Sequence, residues 1–494
     1  MESQKITPSN PENEEIINNK ELSIWEALLP VVILVGMLFY NVYFAFGDDA
    51  LSGSNQFILL LGAAVAAIVG FFNKVSYEQM MEEVAKNVKS TTGALLILLM
   101  VGSLAGTWLI SGIIPTMIYY GLQILNPTIF LAACVVICAI ISIATGSSWT
   151  TSATVGIALI GIGGALDISL GMTAGAVISG AYFGDKMSPL SDTTNLAPAM
   201  AGGDLFSHIK YMAYTTIPTI IITLIIFIIL GFTIDTNGAA DTKNLLLDLK
   251  SHFNINPLLF IVPILVIVLI IKKTPPLIAL LAGTLLGGIF AVIFQPQIVA
   301  QIAGSEKLNL ISGYKGIMNA ITIETSISTD NEVLSKLFKS KGMYGMLGTI
   351  WLIVCAMVFG GIMDAIGALA RISKALLGLF DNIFGLFAST VASCLALNVT
   401  ASDQYLAIVV PGRMYAKAFR DKGLAPENLS RTLEDSGTVT SVLVPWNTCG
   451  AYQSGVLGVP VMDYFIFAIF NWLSPFMTLI FAAFRIKIKQ LTQN

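Results

Sequence analysis

The sequence predicts an all-α polytopic membrane protein built from two inverted-topology repeats, each with a re-entrant hairpin and an interrupted helix. Three observations predict this class. Hydrophobic residues make up 55% of the 494 and charged residues only 11%, with a mean hydropathy of +0.80. A soluble domain carries about 25% charged residues, so this chain has too little charge to cover a globular surface, and lipid must be much of its solvent. Several apolar stretches approach the roughly 20 residues that a membrane-spanning helix needs. Finally, apolar runs broken by small polar residues recur in both halves, the plan of many secondary transporters.

Residues 1–24 read as a disordered cytoplasmic tail, because Met1–Glu21 is polar and acidic, unlike a signal peptide. Residues 25–234 form the N-terminal membrane repeat, with spans at Leu28–Phe46, Gly93–Leu109 and Thr216–Phe232. An extracytoplasmic linker, 235–256, carries Asp235, Asp241 and Asp248. The C-terminal inverted repeat covers 257–489, with spans at Leu258–Ile271, Leu277–Phe294, Met346–Met363 and Met462–Phe484 and a polar loop at 297–343. Lysines and arginines favour the cytoplasmic side. Lys74, Lys86, Lys89, Lys272, Lys273, Arg371, Lys374 and the Arg485–Lys489 tail therefore mark the inside, with both termini there. The lysines of the 297–343 loop run against that bias, which long loops escape more easily.

Each half carries two breaks. The first are Ala144–Thr151 and Asn398–Gln404; the second are Asp185–Asn195 and Val444–Cys449. One offset of 254 positions places Ser148 on Ser402 and Thr194 on Thr448. Residues 380–411 read as a hairpin entering from inside, with its tip at Thr400–Asp403, and 128–163 as a hairpin entering from outside, with its tip at Thr145–Trp149. Two ordinary spans in place of each hairpin are the alternative.

Irregular backbone survives inside a bilayer only when buried in protein or lining a wet cavity. Gly146, Pro189, Pro198, Pro411 and Pro445 interrupt apolar sequence here, and proline frees a helix carbonyl. Carbonyls, hydroxyls and carboxylates are hard donors that suit hard cations. The candidate cation- and proton-binding residues are Asp192, Asp185, Asp403, Ser148, Thr145, Ser188, Ser191, Thr193, Thr194, Asn195, Thr400, Ser402, Asn447 and Thr448, with Na⁺ at the same oxygens. Glu434, Asp435, Asp364 and Arg413 are accessory candidates. Intramembrane charge is costly and marks function, although Asp185 has a simpler reading as a partner of Lys186. Trp149 and Trp446 sit inside breaks, as cavity walls or as ordinary packing. His208 and His252 read as surface residues. One carboxylate can hold a proton or Na⁺ but not both, which couples the two ions at a single site.

A net charge of −4 argues against a nucleic-acid partner. No phosphate loop, Ser–His pair or His/Cys metal cluster appears, so the chain reads as a non-enzyme with no cofactor. The five cysteines read as small buried hydrophobes.

The run Ala176–Pro198, together with Thr145–Thr154, Thr432–Thr438 and Val444–Ala451, resembles the NhaC family of Na⁺/H⁺ antiporters from about residue 25 onward. That resemblance implies a secondary transporter exchanging Na⁺ for H⁺ in the cytoplasmic membrane of a prokaryote. It further implies membership of the broad ion-transporter superfamily, elevator-like movement and a homodimer in lipid. The alternative within the same resemblance is a Na⁺- and H⁺-coupled carrier of a small organic anion, of the malate/lactate type, or of an amino acid.

Overall fold

The computed structural model describes residues 22–46, 53–124, 126–234, 242–327, 335, 338–378 and 382–491. Most of the expected 1–24 tail and part of the 235–256 linker lie outside them. Among the described residues eight helices are long and apolar enough to cross a membrane, or nine if one pair bent by 86° counts as a span.

Helix α1 (Ile24–Tyr40) opens on a capping box between Ser23 and Glu26 and continues as a π-helical turn, Asn41–Phe46. Helix α2 (Ser54–Phe72) is a span absent from the seven apolar stretches read in the sequence. Helix α3 (Tyr77–Ile110) starts on a second capping box, Ser76 with Gln79. At 1.5 Å per residue its 34 residues reach roughly 50 Å, beyond the ~30 Å hydrocarbon core, so one charged end stands clear of lipid. The short α4 (Ile113–Ile124) leads into α5 (Pro127–Thr145), which Asn126 caps and Pro127 starts. Helices α6 (Ser148–Thr151) and α7 (Ile157–Ala165) are joined by a π-helical turn. Helices α8 (Leu170–Met187), α9 (Asp192–Ala201) and α10 (Leu205–Thr233) complete the first half.

The second half runs through α11 (Thr242–His252), α12 (Ile261–Ile271), α13 (Pro276–Phe294), α14 (Pro296–Ile302) and α15 (Leu310–Thr322). Strands β1 (Thr325–Ser326) and β2 (Lys339–Ser340) pair antiparallel. The expected polar loop at 297–343 is thus largely structured. In α15, Gly316 and Ala320 are buried while Leu310, Ile311 and Tyr314 face outward. Next come α16 (Leu347–Ala365), α17 (Ala368–Leu377), α18 (Ile383–Thr400), α19 (Gln404–Asp421) and α20 (Pro426–Leu433), the last prolonged by a π-helical segment, Glu434–Thr438. Helices α21 (Thr448–Leu457), α22 (Val461–Phe465) and α23 (Ile469–Ala483) end the chain. The expected continuous span at 462–484 is therefore two helices. The chain turns between them and lays the Phe467 backbone against Gly175, where a Cβ would meet it at 2.4 Å.

Small residues let the helices approach closely, as they do in membrane bundles. Gly180 and Gly184 of α8 lie on α5, where a Cβ would come within 2.2 Å of the Val135 carbonyl and 2.5 Å of the Ala139 carbonyl. Helices α3 and α16 run antiparallel, with Gly361 on Val84 at one end and Gly102 beside Met346 at the other.

The conformational landmarks recur at one spacing. The helix caps Asn126, Ser147, Ser169 and Ser191 stand 256 positions before Asn382, Asp403, Ala425 and Asn447, which also cap helices. The left-handed residues Gly146 and Gly202 stand 256 positions before Ser402 and Gly458, also left-handed. The caps align two positions beyond the offset of 254 that residue identities suggest. Both arms of the α5–α7 hairpin meet α4: it leads directly into α5, and its Gly121 packs on Ile162 of α7. Helix α17 likewise touches both α18 and α19.

Candidate functional site

Beside the start of α13 at Pro275 and Pro276, four further helix starts converge on one cavity of about 620 Å³. They are the N-termini of α6, α9, α19 and α21, capped respectively by Ser147, Ser191, Asp403 and Asn447. Three carboxylates line the cavity: Asp185, Asp192 and Asp403. Asp192 begins α9 and is exposed to the cavity. Asp403 is buried, and its Oδ1 accepts from the Tyr405 N–H (2.8 Å) and the Leu406 N–H (3.1 Å). Asp185 accepts from the Ser148 hydroxyl at 2.7 Å. Asp192 and Asp403 both stand at helix starts, where the backbone dipole favours negative charge.

The remaining candidates divide. Thr145, Ser191, Thr193 and Thr448 line the cavity. Ser188 and Thr194 turn their hydroxyls to backbone instead, Ser188 to Ile143 (2.9 Å) and Thr194 to Lys186 (3.1 Å). Asn195 donates to Ser191 (2.7 Å) and Asn447 to Asn398 (3.0 Å), so both brace the breaks. The buried Thr400 and Ser402 hydroxyls have no hydrogen-bond partner among the described residues. Ser402 also holds φ +58°, uncommon for a residue with a side chain.

The accessory candidates lie elsewhere. Asp364 ends α16 near Glu83 and Lys86 of α3. Arg413 is exposed on α19, outside the cavity lining. Asp435 pairs with Lys186, both fully buried, and also accepts from Thr215 (2.9 Å) and from Thr478. This corrects the simple reading of Asp185: its neighbour Lys186 points away from it, to a partner 249 positions on. Glu434 is fully buried beside that pair.

His208 is also corrected from surface to core. Its ring Nδ1 lies 2.8 Å from the Ser430 hydroxyl, so it packs between the halves. The two tryptophans separate: Trp149 lines the cavity, while Trp446 donates to the Val399 carbonyl (2.9 Å) and borders a second, mostly apolar pocket. Sequence reasoning missed Gln404, Tyr405, Ser90 and Lys273 as lining residues. It also missed the role of Lys186, for which a signal existed: a lysine within an apolar helix requires a counter-ion.

The profile of the Na⁺/H⁺ antiporter family matches residues 180–486. The chain is 37% identical over 423 residues to the Na⁺/H⁺ antiporter NhaC of Alkalihalophilus pseudofirmus, covering 86% of this chain and 88% of that protein. It is 36% identical over 424 residues to a malate-2H⁺/Na⁺-lactate antiporter of Bacillus subtilis, covering 85% and 86% of the two chains. It is 30% identical over 472 residues to an arginine/ornithine antiporter of Halobacterium salinarum, covering 94% and 93%.

Proposed function

We propose that this chain, which belongs to the Na⁺/H⁺ antiporter family, is a secondary active transporter that exchanges Na⁺ for H⁺ across the membrane it spans. The observation that carries the site is the convergence of Asp185, Asp192 and Asp403 on one cavity at broken helices. Desolvation favours the protonated carboxyl and a nearby cation favours the charged form, so each ion displaces the other. Asp192 and Asp403 take the competing ions. Asp185, the hydroxyls of Ser148, Thr145, Ser191, Thr193, Thr400, Ser402 and Thr448, and carbonyls freed at the breaks complete the oxygen shell.

The constant spacing of caps and the antiparallel α3 and α16 support two inverted repeats, 25–234 and 257–489. The common neighbour of each hairpin's two arms supports re-entrant entry. The lysine and arginine distribution supports cytoplasmic termini in the inner membrane of a prokaryote. A homodimer in lipid, with one half of each subunit moving against the other, completes the proposal. Na⁺ and H⁺ are cargo, and no cofactor takes part.

A second reading is favoured by the size of the cavity. At about 30 Å³ per water it has room for roughly twenty waters, and helix N-termini attract anions. A small organic carboxylate or amino acid would fit beside Na⁺. Proteoliposomes with an imposed Na⁺ gradient and an internal pH dye separate the two readings. Proton movement without organic solute supports simple exchange. Movement only after malate, lactate or an amino acid is added supports the second reading, and no movement under any condition rules out both.

A further inference from the structure

The tail that follows α23 is fastened to the protein. The Ala425 N–H donates to the Lys489 carbonyl (3.0 Å), the Asn428 amide donates to the same carbonyl (2.6 Å), and the Leu491 N–H donates to the Gly423 carbonyl (2.8 Å). From α10, the Tyr211 hydroxyl holds the Lys487 carbonyl. Arg485 and Lys487 stand in the left-handed region, at φ +52° and +49°. That conformation is uncommon for residues with side chains and persists where the surroundings fix it.

The fastened tail closes a pocket of about 430 Å³ against the start of α10. Its walls carry Lys210, Lys487 and Lys489 beside Ser207, Tyr211 and Tyr214, and no carboxylate. Lys489 is matched by Glu427 (2.5 Å). Lys210 and Lys487 have no carboxylate partner among the described residues; Lys487 stands over the Tyr214 ring instead, 5.2 Å from its centroid. The nearby Asp204 is turned to the Ser207 N–H (2.9 Å). Behind the pocket, the buried Arg431 guanidinium lies 4.6 Å from the centre of the Tyr211 ring, and none of its three nitrogens has a hydrogen-bond partner among the described residues. Two uncompensated ammonium groups with a buried guanidinium behind them suit a phosphate.

The surface running away from the pocket says what carries that phosphate. Tyr214, Ile217, Ile221, Ile225, Ile228 and Phe232 are all exposed and follow Lys210 at helical spacing, so they form one apolar stripe on α10. From Lys210 to Phe232 is roughly 33 Å at 1.5 Å per residue, about the thickness of the hydrocarbon core. Lys210 therefore stands at one edge of the bilayer when the stripe faces lipid. A headgroup in the pocket has its acyl chains directed along Tyr214, Ile217 and Ile221, a depth of roughly half the core.

We propose that this pocket is a binding site for one anionic phospholipid, with its phosphate between Lys210 and Lys487 and its chains on the α10 stripe. Basic pockets at the ends of membrane helices recognise anionic headgroups in this way. Lysines that only snorkel to the interface need no fixed backbone, whereas here the tail is held in a strained conformation that sets Lys487 opposite Lys210.

The test is native mass spectrometry of the purified full chain in neutral detergent, titrated with phosphatidylglycerol or phosphatidylcholine. The wild type should retain phosphatidylglycerol at least about tenfold more tightly. Lys210→Gln with Lys487→Gln should weaken it by about fivefold per lysine, roughly thirtyfold for the pair, with phosphatidylcholine unchanged. Lys417→Gln with Lys422→Gln removes the same charge from exposed positions outside the pocket and should leave the affinity as it was. An equal loss in that control, or no preference in the wild type, overturns the proposal. Glycerophosphoglycerol, the headgroup without chains, should not compete at the lipid's concentration; full competition would mean a free-phosphate site and overturns the lipid. If the Lys210/Lys487 variant does not fold, acetylation of wild-type lysines in nanodiscs decides. Protection of Lys210 and Lys487 by phosphatidylglycerol but not phosphatidylcholine, with Lys417 and Lys422 unaffected, supports the proposal. Equal protection of all four, or of none, overturns it.

Discussion

The indole of Trp149 lies flat on the ring of Tyr452, with centroids 4.0 Å apart and planes 18° from parallel. The Tyr452 hydroxyl also donates to the Trp149 carbonyl at 3.1 Å. One partner sits in the first break of the N-terminal half and the other on α21, so the pair clamps the halves together beside the cavity. Aromatic pairs contribute about 0.5–1.5 kcal/mol beyond burial. A double-mutant cycle on Trp149→Ala and Tyr452→Ala, read by reversible unfolding in detergent, is expected to give a coupling in that range. Additive losses would show that the stack carries no energy of its own.

Asp192 and Asp403 are separable by their caps. Asparagine caps a helix as well as aspartate, whereas alanine costs about 1 kcal/mol. Asp403→Asn should keep the wild-type melting temperature yet lose at least about tenfold in Na⁺ affinity, in line with a lost charge-assisted contact. Asp403→Ala should lose both. Asp192→Asn, on an exposed side chain, should lose coupled flux with no change in melting. Full Na⁺-dependent proton exchange in Asp192→Asn would remove that residue from the mechanism.

Competition at a carboxylate fixes a sign. Below the pKa of the competing group, the apparent Na⁺ dissociation constant should rise about tenfold for each unit fall in pH, one proton displacing one ion. Initial rates over a pH series give the slope. A flat line would mean that the two ions bind separately.

Ser402 separates strain from ligation. A left-handed residue other than glycine costs roughly 1–2 kcal/mol. Ser402→Gly should therefore match or exceed the wild type in stability while lowering Na⁺ affinity, because it removes a buried, unpartnered hydroxyl. Ser402→Ala should lower affinity alike without gaining stability. Unchanged affinity in both variants would exclude this hydroxyl from the ion's shell.

Breaking a buried ion pair costs about 3–5 kcal/mol, whereas replacing both partners by apolar groups is often neutral. Lys186→Met should be strongly destabilised, and Lys186→Met with Asp435→Leu should recover most of the loss. A double variant as unstable as the single one would mean that Thr215 and Thr478 depend on the Asp435 charge for their own placement.

The parts legible in the sequence were those marked by composition. Asp185, Asp192 and Asp403 stand out because carboxylates are rare in apolar runs and these lie close to Pro189 and Ser402, where the helices stop. Which hydroxyls face the cavity was not legible. Ser188 and Ser191 are three positions apart, yet one bonds a backbone carbonyl across α5 and the other lines the cavity. A pairing across the chain such as His208 with Ser430 leaves no local trace, and Lys186 in its apolar helix signals the need for a counter-ion without naming Asp435. Residue identities suggest an offset of 254 whereas the helix caps recur at 256, because a cap is a conformation: Ser191 and Asn447 share it but no side chain.

The spacing of 256 positions holds from Asn126 through Gly202 and from Asn382 through Gly458 without a residue gained or lost. Each stretch is a gauge of fixed length, and its turns meet those of the other stretch at the cavity. One residue inserted inside either stretch would rotate every following side chain by about 100° on a helix of 3.6 residues per turn. It would swing Asp192, or Thr448 in the matching stretch, out of the cavity. Length added between α10 and α11 leaves both stretches at their spacing, so an inserted tag, fluorophore or fusion domain belongs there.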